Sequence, residues 1–237
     1  MSGLPILWTQ LADAAGVRLS DKQLDLLSRY LDLLLEANLT MNLTALKERG
    51  AAEVLHVGDA LTLLPYLTAG EVFIADIGSG GGSPAIPLAI ARSDASMTCI
   101  ESTGKKAAFL TATAAALELK NLKVVNGRAE DSGRGPAREK FDIATARAVG
   151  TLDWVAEYCL PLVKIGGKVL AMKGKRAAEE LGTARKAIRV LGGAEPVVHP
   201  VALPGTEGHV IVEIVKMRKT PDAFPRLPSI AKGKPIR

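Results

Sequence analysis

Apolar residues follow two different spacings along this chain, and the change comes near residue 71. Before it, leucines between positions 24 and 35 recur at helical spacing, behind Ser20-Asp21-Lys22-Gln23, which has the form of a helix-capping box. After it, short apolar runs alternate with longer amphipathic segments. The pattern predicts a helical region over residues 1–66, followed by alternating strands and helices.

The alternating part predicts seven strands and four helices. The strands are expected at 72–77, 96–101, 122–126, 141–146, 167–173, 194–202 and 208–217, and the helices at 84–92, 104–118, 151–164 and 176–191. Strands connected through helices form parallel sheets with helices on both faces. The last two strands are joined by the turn-like segment 203–208 and can pair antiparallel. We therefore expect an α/β, Rossmann-like fold with a mainly parallel seven-stranded sheet that ends in an antiparallel hairpin.

The connection after the first predicted strand is rich in glycine and carries the strongest chemical signal. It runs Asp76-Ile77-Gly78-Ser79-Gly80-Gly81-Gly82-Ser83-Pro84, with Pro84 suited to the first helical position. A dinucleotide fingerprint needs glycine or alanine where Ser83 stands, and no P-loop lysine follows the glycines. The remaining form, Asp-x-Gly-x-Gly-x-Gly, is similar to motif I of S-adenosylmethionine-dependent methyltransferases. The alternative is a flexible turn without a ligand.

Acidic residues at the next two strand ends extend this nucleotide hypothesis. Glu101 ends the second strand, where a carboxylate can accept hydrogen bonds from ribose hydroxyls. Glu130-Asp131 follows the third strand and can accept from an adenine amino group, or else cap the following turn. Both strand ends are expected on the same edge of the sheet as the glycine turn.

Composition is that of a globular enzyme with a basic C-terminus. The 237 residues carry a formal net charge of +5, and residues 216–237 contribute seven basic side chains against one acidic one. With four prolines this segment cannot form one continuous helix, and we expect an extended arm that meets phosphates; a solubilising tail is the alternative. No apolar run reaches about 20 residues and no export signal is visible, so a cytoplasmic protein is expected. Cys99 and Cys159 are expected to be buried thiols without metal spacing.

Several motifs in this order resemble one family. They are Asn42-Leu43-Thr44, 56–61, 76–87, 101–110, 127–131, 145–148 and Met172-Lys173-Gly174. Together they are similar to the glucose-inhibited division protein B family, ribosomal RNA small-subunit methyltransferase G. The resemblance implies a class I methyltransferase fold with S-adenosylmethionine as cofactor, and methylation of N7 of a guanosine in small-subunit ribosomal RNA. It also implies cofactor contacts at Gly78, Ser83, Ala129, Glu130 and Arg147, beside those expected at Asp76, Gly80 and Glu101. The chain departs from the family pattern at Ser83, where a bulky apolar residue is common, and at Ala85, where glycine is common.

The fourth strand ends without the residues that other base methyltransferases need. Thr145-Ala146-Arg147-Ala148 contains neither an Asp/Asn-Pro-Pro-aromatic turn nor a Pro-Cys nucleophile. Guanine N7 already offers a lone pair, so no catalytic base is expected. Arg147 is expected to hold the methionine carboxylate or a phosphate; the alternative is a structural salt bridge to Asp76 or Asp142. His56 and Asp59 receive no catalytic role.

We divide the chain into a helical extension over 1–66, a methyltransferase core over 67–219 and a basic, proline-rich tail over 220–237. RNA contacts are expected at Lys173, Arg226, Lys232 and Lys234. The expected partner is small-subunit ribosomal RNA or the 30S subunit, with the protein acting as a monomer. A small-molecule methyltransferase and a cofactor-binding assembly factor on the same fold remain alternatives.

Overall fold

The N-terminal region is helical, as the sequence predicted. The computed structural model describes residues 4–227, 230, 231 and 236. Its first elements are α1 (Leu4–Ala14), α2 (Asp21–Met41), α3 (Arg49–Ala52), a π-helix (Glu53–Gly58), α4 (Asp59–Leu61) and a 3-10 turn (Leu64–Tyr66). The capping box is present, because the Ser20 hydroxyl accepts from the Gln23 amide while the Gln23 side chain accepts from the Ser20 amide. None of the helices in the described ranges is long and apolar enough to cross a membrane.

Seven strands form one sheet with the predicted mixture of directions. They are β1 (Val72–Ile77), β2 (Ala95–Glu101), β3 (Leu122–Asn126), β4 (Phe141–Arg147), β5 (Val163–Lys173), β6 (Val197–Pro200) and β7 (Val210–Val215). Their spatial order is β3-β2-β1-β4-β5-β7-β6. The first five pair in parallel, while β7 is antiparallel to both β5 and β6. The expected fold class is therefore confirmed.

The helices of the alternating part follow the predictions except around residue 160 and at α7, which was not predicted. They are α5 (Ala85–Ala91), α6 (Gly104–Ala116), α7 (Ala129–Arg134), α8 (Leu152–Cys159) and α9 (Ala177–Val190). The helix predicted over 151–164 ends at Cys159, because Pro161 lacks an amide hydrogen and crowds the preceding turn. The next strand then begins at Val163, four residues earlier than predicted. Helix α7 was missed because it is only one and a half turns long and mostly polar.

Two apolar cores lie on opposite faces of the sheet because side chains alternate along each strand. Ile74 packs with α2, α5 and α6 on one face, whereas the neighbouring Ala75 packs with α8 and α9 on the other. The helical extension over residues 4–66 contributes Trp8, Leu27 and Leu31 to the first core. It is therefore packed on the sheet through a shared core.

The helical extension also holds the glycine turn. The Tyr30 hydroxyl is fully buried and donates a 2.7 Å hydrogen bond to the Gly81 carbonyl. His56 Nε2 lies 2.8 Å from the same hydroxyl oxygen. Since the single tyrosine proton is used on Gly81, His56 must donate through Nε2 and carry its lone pair on Nδ1. Burial lowers the pKa of His56 to about 3, which keeps the ring neutral.

The start of the basic C-terminal segment packs against the core and contains no helix between residues 216 and 227. Lys216 is fully buried and donates to Glu139 Oε1 at 2.8 Å and to the Val163 carbonyl at 2.7 Å. Arg138 donates to the carbonyls of Thr220 and Phe224. Lys216 therefore forms its ion pair inside the protein and is not among the basic side chains of this segment that can meet phosphates.

We expect Tyr30→Phe to destabilise the protein by about 1–3 kcal/mol, because it leaves the Gly81 carbonyl and the His56 Nε2–H buried without a partner. Urea unfolding followed by circular dichroism measures the change. The matched variant is Tyr66→Phe, whose hydroxyl makes no hydrogen bond within the part of the chain described; it should change stability far less. Equal losses in the two variants would contradict this role for Tyr30.

Candidate functional site

The turn between β1 and α5 needs its glycines for both conformation and space. Gly78 and Gly82 have φ values of +68° and +98°, which side chains other than glycine adopt at a cost. A Cβ atom at Gly82 would also lie 2.5 Å from the Ile86 side chain. The Gly78 amide donates to the Ile100 carbonyl of β2 at 2.8 Å. The turn is thus fixed to the carboxyl end of the sheet.

Glu101 lies at the end of β2 and holds this turn from below. Its two oxygens accept from the Gly80 amide at 2.9 Å and from the Thr103 amide at 2.7 Å. The side chain is 5% exposed. A carboxylate oxygen can accept more than one hydrogen bond, so the ribose contact predicted for Glu101 stays a prediction.

Asp76 is buried beneath the turn. Its side chain is 1% exposed; Oδ1 accepts from the Thr145 hydroxyl at 2.8 Å, and Oδ2 has no partner in the described structure. Burial raises the pKa of this carboxyl to about 6, although the Thr145 hydroxyl opposes the shift. Because a nearby cation lowers such a pKa, the group would favour positive charge above the turn.

A cavity of about 1000 Å³ opens beside the turn, between the helical extension and the ends of β4, β5 and β7. Of the predicted site residues, Gly78, Gly80, Ser83, Arg147 and Lys173 line it. Asp76, Glu101, Ala129 and Glu130 lie outside its lining. The last two belong to α7, which follows β3 at the same edge of the sheet. The residues of the predicted cofactor site therefore all lie along the carboxyl edge of the sheet.

Arg147 ends β4 and connects several parts of the cavity wall. Its Nη1 donates to the Ser83 hydroxyl at 2.9 Å, and that hydroxyl donates to the His56 carbonyl at 2.8 Å. The same Nη1 lies 3.4 Å from Asp59 Oδ2. The alternative salt bridges to Asp76 and Asp142 are not formed, since Asp142 pairs with Lys164. Arg147 is therefore an arginine whose side chain faces the cavity, with Asp59 as its acidic neighbour.

The predicted RNA-binding residues have different environments. Lys173 is 9% exposed at its side chain and pairs with Glu180 at 2.6 Å while donating to the Gly150 carbonyl. Arg226 pairs with the buried Glu157 at 2.6 Å and is 18% exposed. Lys232 and Lys234 lie outside the described residues. Their RNA contacts stay predictions.

Three cavity residues were not assigned a role from the sequence. His56 and Asp59 come from the π-helix and the start of α4, and His209 precedes β7. His209 Nδ1 lies 3.9 Å from Asp59 Oδ1. The only signal in the sequence was that residues 56–61 form one of the motifs of the family resemblance. The π-helix, a form often found at functional sites, could not be predicted from the apolar pattern.

Comparison with known proteins agrees with this geometry. The model of the family GidB, "rRNA small subunit methyltransferase G", matches residues 23–206. The chain belongs to this family. A ribosomal RNA small subunit methyltransferase G from Chloroflexus aggregans is 42% identical over 224 residues, 94% of each chain. One from Roseiflexus sp. strain RS-1 is 41% identical, covering 95% of this chain and 97% of that one. This protein is accordingly a ribosomal RNA methyltransferase.

Solved structures support the fold assignment. A SAM-dependent methyltransferase from Aquifex aeolicus superposes with a TM-score of 0.56 at 14% identity, covering 74% of this chain and 97% of that one. The seven-stranded sheet of this rRNA small subunit methyltransferase G family member is thus the methyltransferase fold. Cys99 and Cys159 are buried and free, as expected. Within the described ranges there is no group of side chains suited to hold a metal ion.

Asp76→Asn should make stability less dependent on pH. The folded pKa of about 6 exceeds the usual value of about 3.9, so the unfolded chain releases this proton first as pH rises. The wild type therefore loses up to about 3 kcal/mol of stability between pH 4 and 6 through Asp76 alone, and the variant does not.

Urea unfolding at pH 4.5 and 7.5 tests this, with Asp25→Asn at an exposed position of α2 as the matched control. Relative to the wild type, the free energy of unfolding of Asp76→Asn should be higher at pH 7.5 than at pH 4.5. That of Asp25→Asn should differ from the wild type by the same amount at both pH values. An Asp76 variant that follows the wild-type pH dependence would show that this carboxyl titrates normally.

Proposed function

We propose that this protein transfers the methyl group of S-adenosylmethionine to N7 of a guanosine in 16S ribosomal RNA. Family membership is what supports the class of enzyme, a methyltransferase, and the class of substrate, ribosomal RNA. The choice of nitrogen is supported by the end of β4, Thr145-Ala146-Arg147-Ala148, which holds neither the Asp/Asn-Pro-Pro-aromatic turn nor the Pro-Cys nucleophile that other base methyltransferases use. Guanine N7 carries no proton, so its methylation needs neither.

The residues around the turn fit the donor. S-adenosylmethionine, when bound, supplies an electrophilic methyl group on a sulfonium centre. The buried Asp76 favours positive charge above the turn, and Arg147 presents a guanidinium suited to the methionine carboxylate. Gly78, Gly80 and Ser83 are expected to contact the donor along the turn, Glu101 its ribose, and Ala129 with Glu130 its adenine.

Positioning supplies most of the rate in this scheme. The neutral guanine ring already presents its N7 lone pair, so the protein needs to hold the methyl group and N7 in line and exclude water. Such orientation contributes up to about 7–11 kcal/mol in favourable models. Arg147 acts as a positioning residue, and no side chain moves a proton before attack.

Cations around the cavity mouth suit a nucleic acid. Lys106, Lys175 and Arg176 line the cavity, and the last two are exposed. Phosphates along a strand entering here would meet them before reaching Arg147. We expect Lys173, Arg226, Lys232 and Lys234 to add contacts to the same strand or its neighbours. The protein then works as a monomer on small-subunit RNA or the 30S particle, in the cytoplasm.

The direct test supplies labelled S-adenosylmethionine and small ribosomal subunits that lack the modification, and maps 7-methylguanosine in the RNA. We expect one labelled guanosine in 16S RNA. Label in a metabolite fraction without labelled RNA would favour a small-molecule enzyme, and donor binding without any transfer would favour an assembly factor.

Arg147→Ala should keep the fold and lower kcat/KM for methyl transfer at least about 10-fold, because a charge-assisted contact to the donor is lost. Steady-state methylation of subunits measures the effect. Arg185→Ala, which removes a surface arginine paired with the exposed Glu195, is the matched control and should retain wild-type kinetics. Wild-type turnover in Arg147→Ala would remove this residue from the site.

The C-terminal lysines are tested by the salt dependence of RNA binding. Replacing Lys232 and Lys234 by glutamine should reduce the slope of log affinity against log salt by up to about 1.8, since each phosphate contact contributes about 0.7–0.9. A Lys22→Gln, Lys120→Gln variant alters exposed lysines at the opposite, amino edge of the sheet. An equal slope in the wild type and the C-terminal variant would leave these lysines without an RNA role.

A further inference from the structure

The cavity contains an acidic residue beside Arg147, Asp59, to which the expected site gives no role. Arg147 Nη1 and Asp59 Oδ2 lie 3.4 Å apart without a hydrogen bond of ordinary geometry, and both residues line the cavity. The Arg147 side chain is 23% exposed and that of Asp59 is 6% exposed. A guanidinium and a carboxylate held side by side are complementary to an α-amino acid, which carries both charges on one carbon.

Of the acidic side chains near the turn, Asp59 is the one available to bind the ammonium group of an amino acid. Asp76, the carboxylate of the glycine motif, lies outside the cavity lining at 1% exposure. Glu180, the other acidic residue in the lining, already accepts from Lys173 and from the Leu152 amide through the same oxygen. Asp59 has Arg147 at 3.4 Å and His209 at 3.9 Å as its nearest charged or titratable contacts.

The position of Asp59 is fixed by the elements around it. It begins α4 directly after the π-helix, whose His56 carbonyl accepts from the Ser83 hydroxyl of the glycine turn. That hydroxyl also accepts from Arg147. Ser83 thereby ties the backbone just before Asp59 to the arginine, so both charges keep their spacing relative to the turn.

The pKa shift of Asp59 is consistent with a carboxylate that has no close cationic partner. Burial raises the pKa of Asp59, and the Arg147 guanidinium only partly offsets this. An amino-acid group entering the cavity would replace this long ion pair by two closer ones, its ammonium on Asp59 and its carboxylate on Arg147. Because the Arg147–Asp59 contact is long, separating the two side chains costs little interaction energy.

Resting on the proposed function, we propose that Asp59 binds the α-ammonium group of the methyl donor while Arg147 binds its carboxylate, the two forming an amino-acid clamp at the methionine end of the site. Asp76 then acts from beneath the turn without touching the ammonium group.

Calorimetry with three adenosyl ligands tests the clamp without any RNA. S-adenosylhomocysteine carries ammonium and carboxylate, its deaminated analogue carries only the carboxylate, and 5′-methylthioadenosine carries neither. Asp59→Asn should lower the affinity for S-adenosylhomocysteine by about 10- to 100-fold. It should change the affinity for the other two ligands by less than about 2-fold. The wild type should prefer S-adenosylhomocysteine to the deaminated analogue by the same factor.

Asp25→Asn, at an exposed position of α2, is the matched control and should bind S-adenosylhomocysteine within about 2-fold of the wild type. Thermal unfolding verifies that each variant is folded, and Asp59→Ala gives a second variant with the same expected pattern. Equal loss for all three ligands would reduce Asp59 to a structural residue and overturn the clamp.

Two further outcomes separate this proposal from the proposed function. Unchanged S-adenosylhomocysteine affinity in Asp59→Asn with reduced RNA methylation would assign Asp59 to the RNA and overturn the clamp alone. The expected binding pattern in a protein that methylates no RNA would retain the clamp and reject the proposed activity. A wild type that binds no S-adenosylhomocysteine would overturn both.

Discussion

The site depends on one buried hydrogen bond, from the Tyr30 hydroxyl to the Gly81 carbonyl. A turn with four glycines has many accessible conformations, and each fixed backbone residue costs about 1–2 kcal/mol of conformational entropy. The bond comes from α2, more than 50 residues earlier, so the helical extension pins the turn from one side while Glu101 holds it from the other. The division at residue 66 therefore separates regions that build one site together.

The order of the strands and the location of the turn were predictable because they depend on local patterns. Val72–Ile77 is an apolar run interrupted only by Asp76 and followed by glycines, which fits a buried parallel strand and the turn after it. The end of α8 was mispredicted because Tyr158, Cys159, Leu160 and Leu162 are all buried, so an apolar run continues past the helix into the next strand. In the sequence only Pro161 marks the boundary between α8 and β5.

Which charges face the cavity was not predictable from the sequence. Asp76 and Asp59 are both acidic residues next to apolar runs, and only the path of the π-helix brings Asp59 beside Arg147. Lys216 likewise belongs to a basic segment, yet its partner Glu139 lies 77 residues earlier. Contacts at such separations depend on tertiary packing, which periodicity and composition do not encode.

The place of β7 in the sheet has a consequence for biosynthesis. Strand β7 is inserted between β5 and β6, although it follows both in the chain. Until residues 210–215 leave the ribosome, β5 keeps an unpaired edge, and an open edge of this kind readily recruits strands from other molecules. The nascent enzyme therefore cannot close its sheet until residues 210–215 have been translated, and a translation product that stops before them would be prone to aggregate.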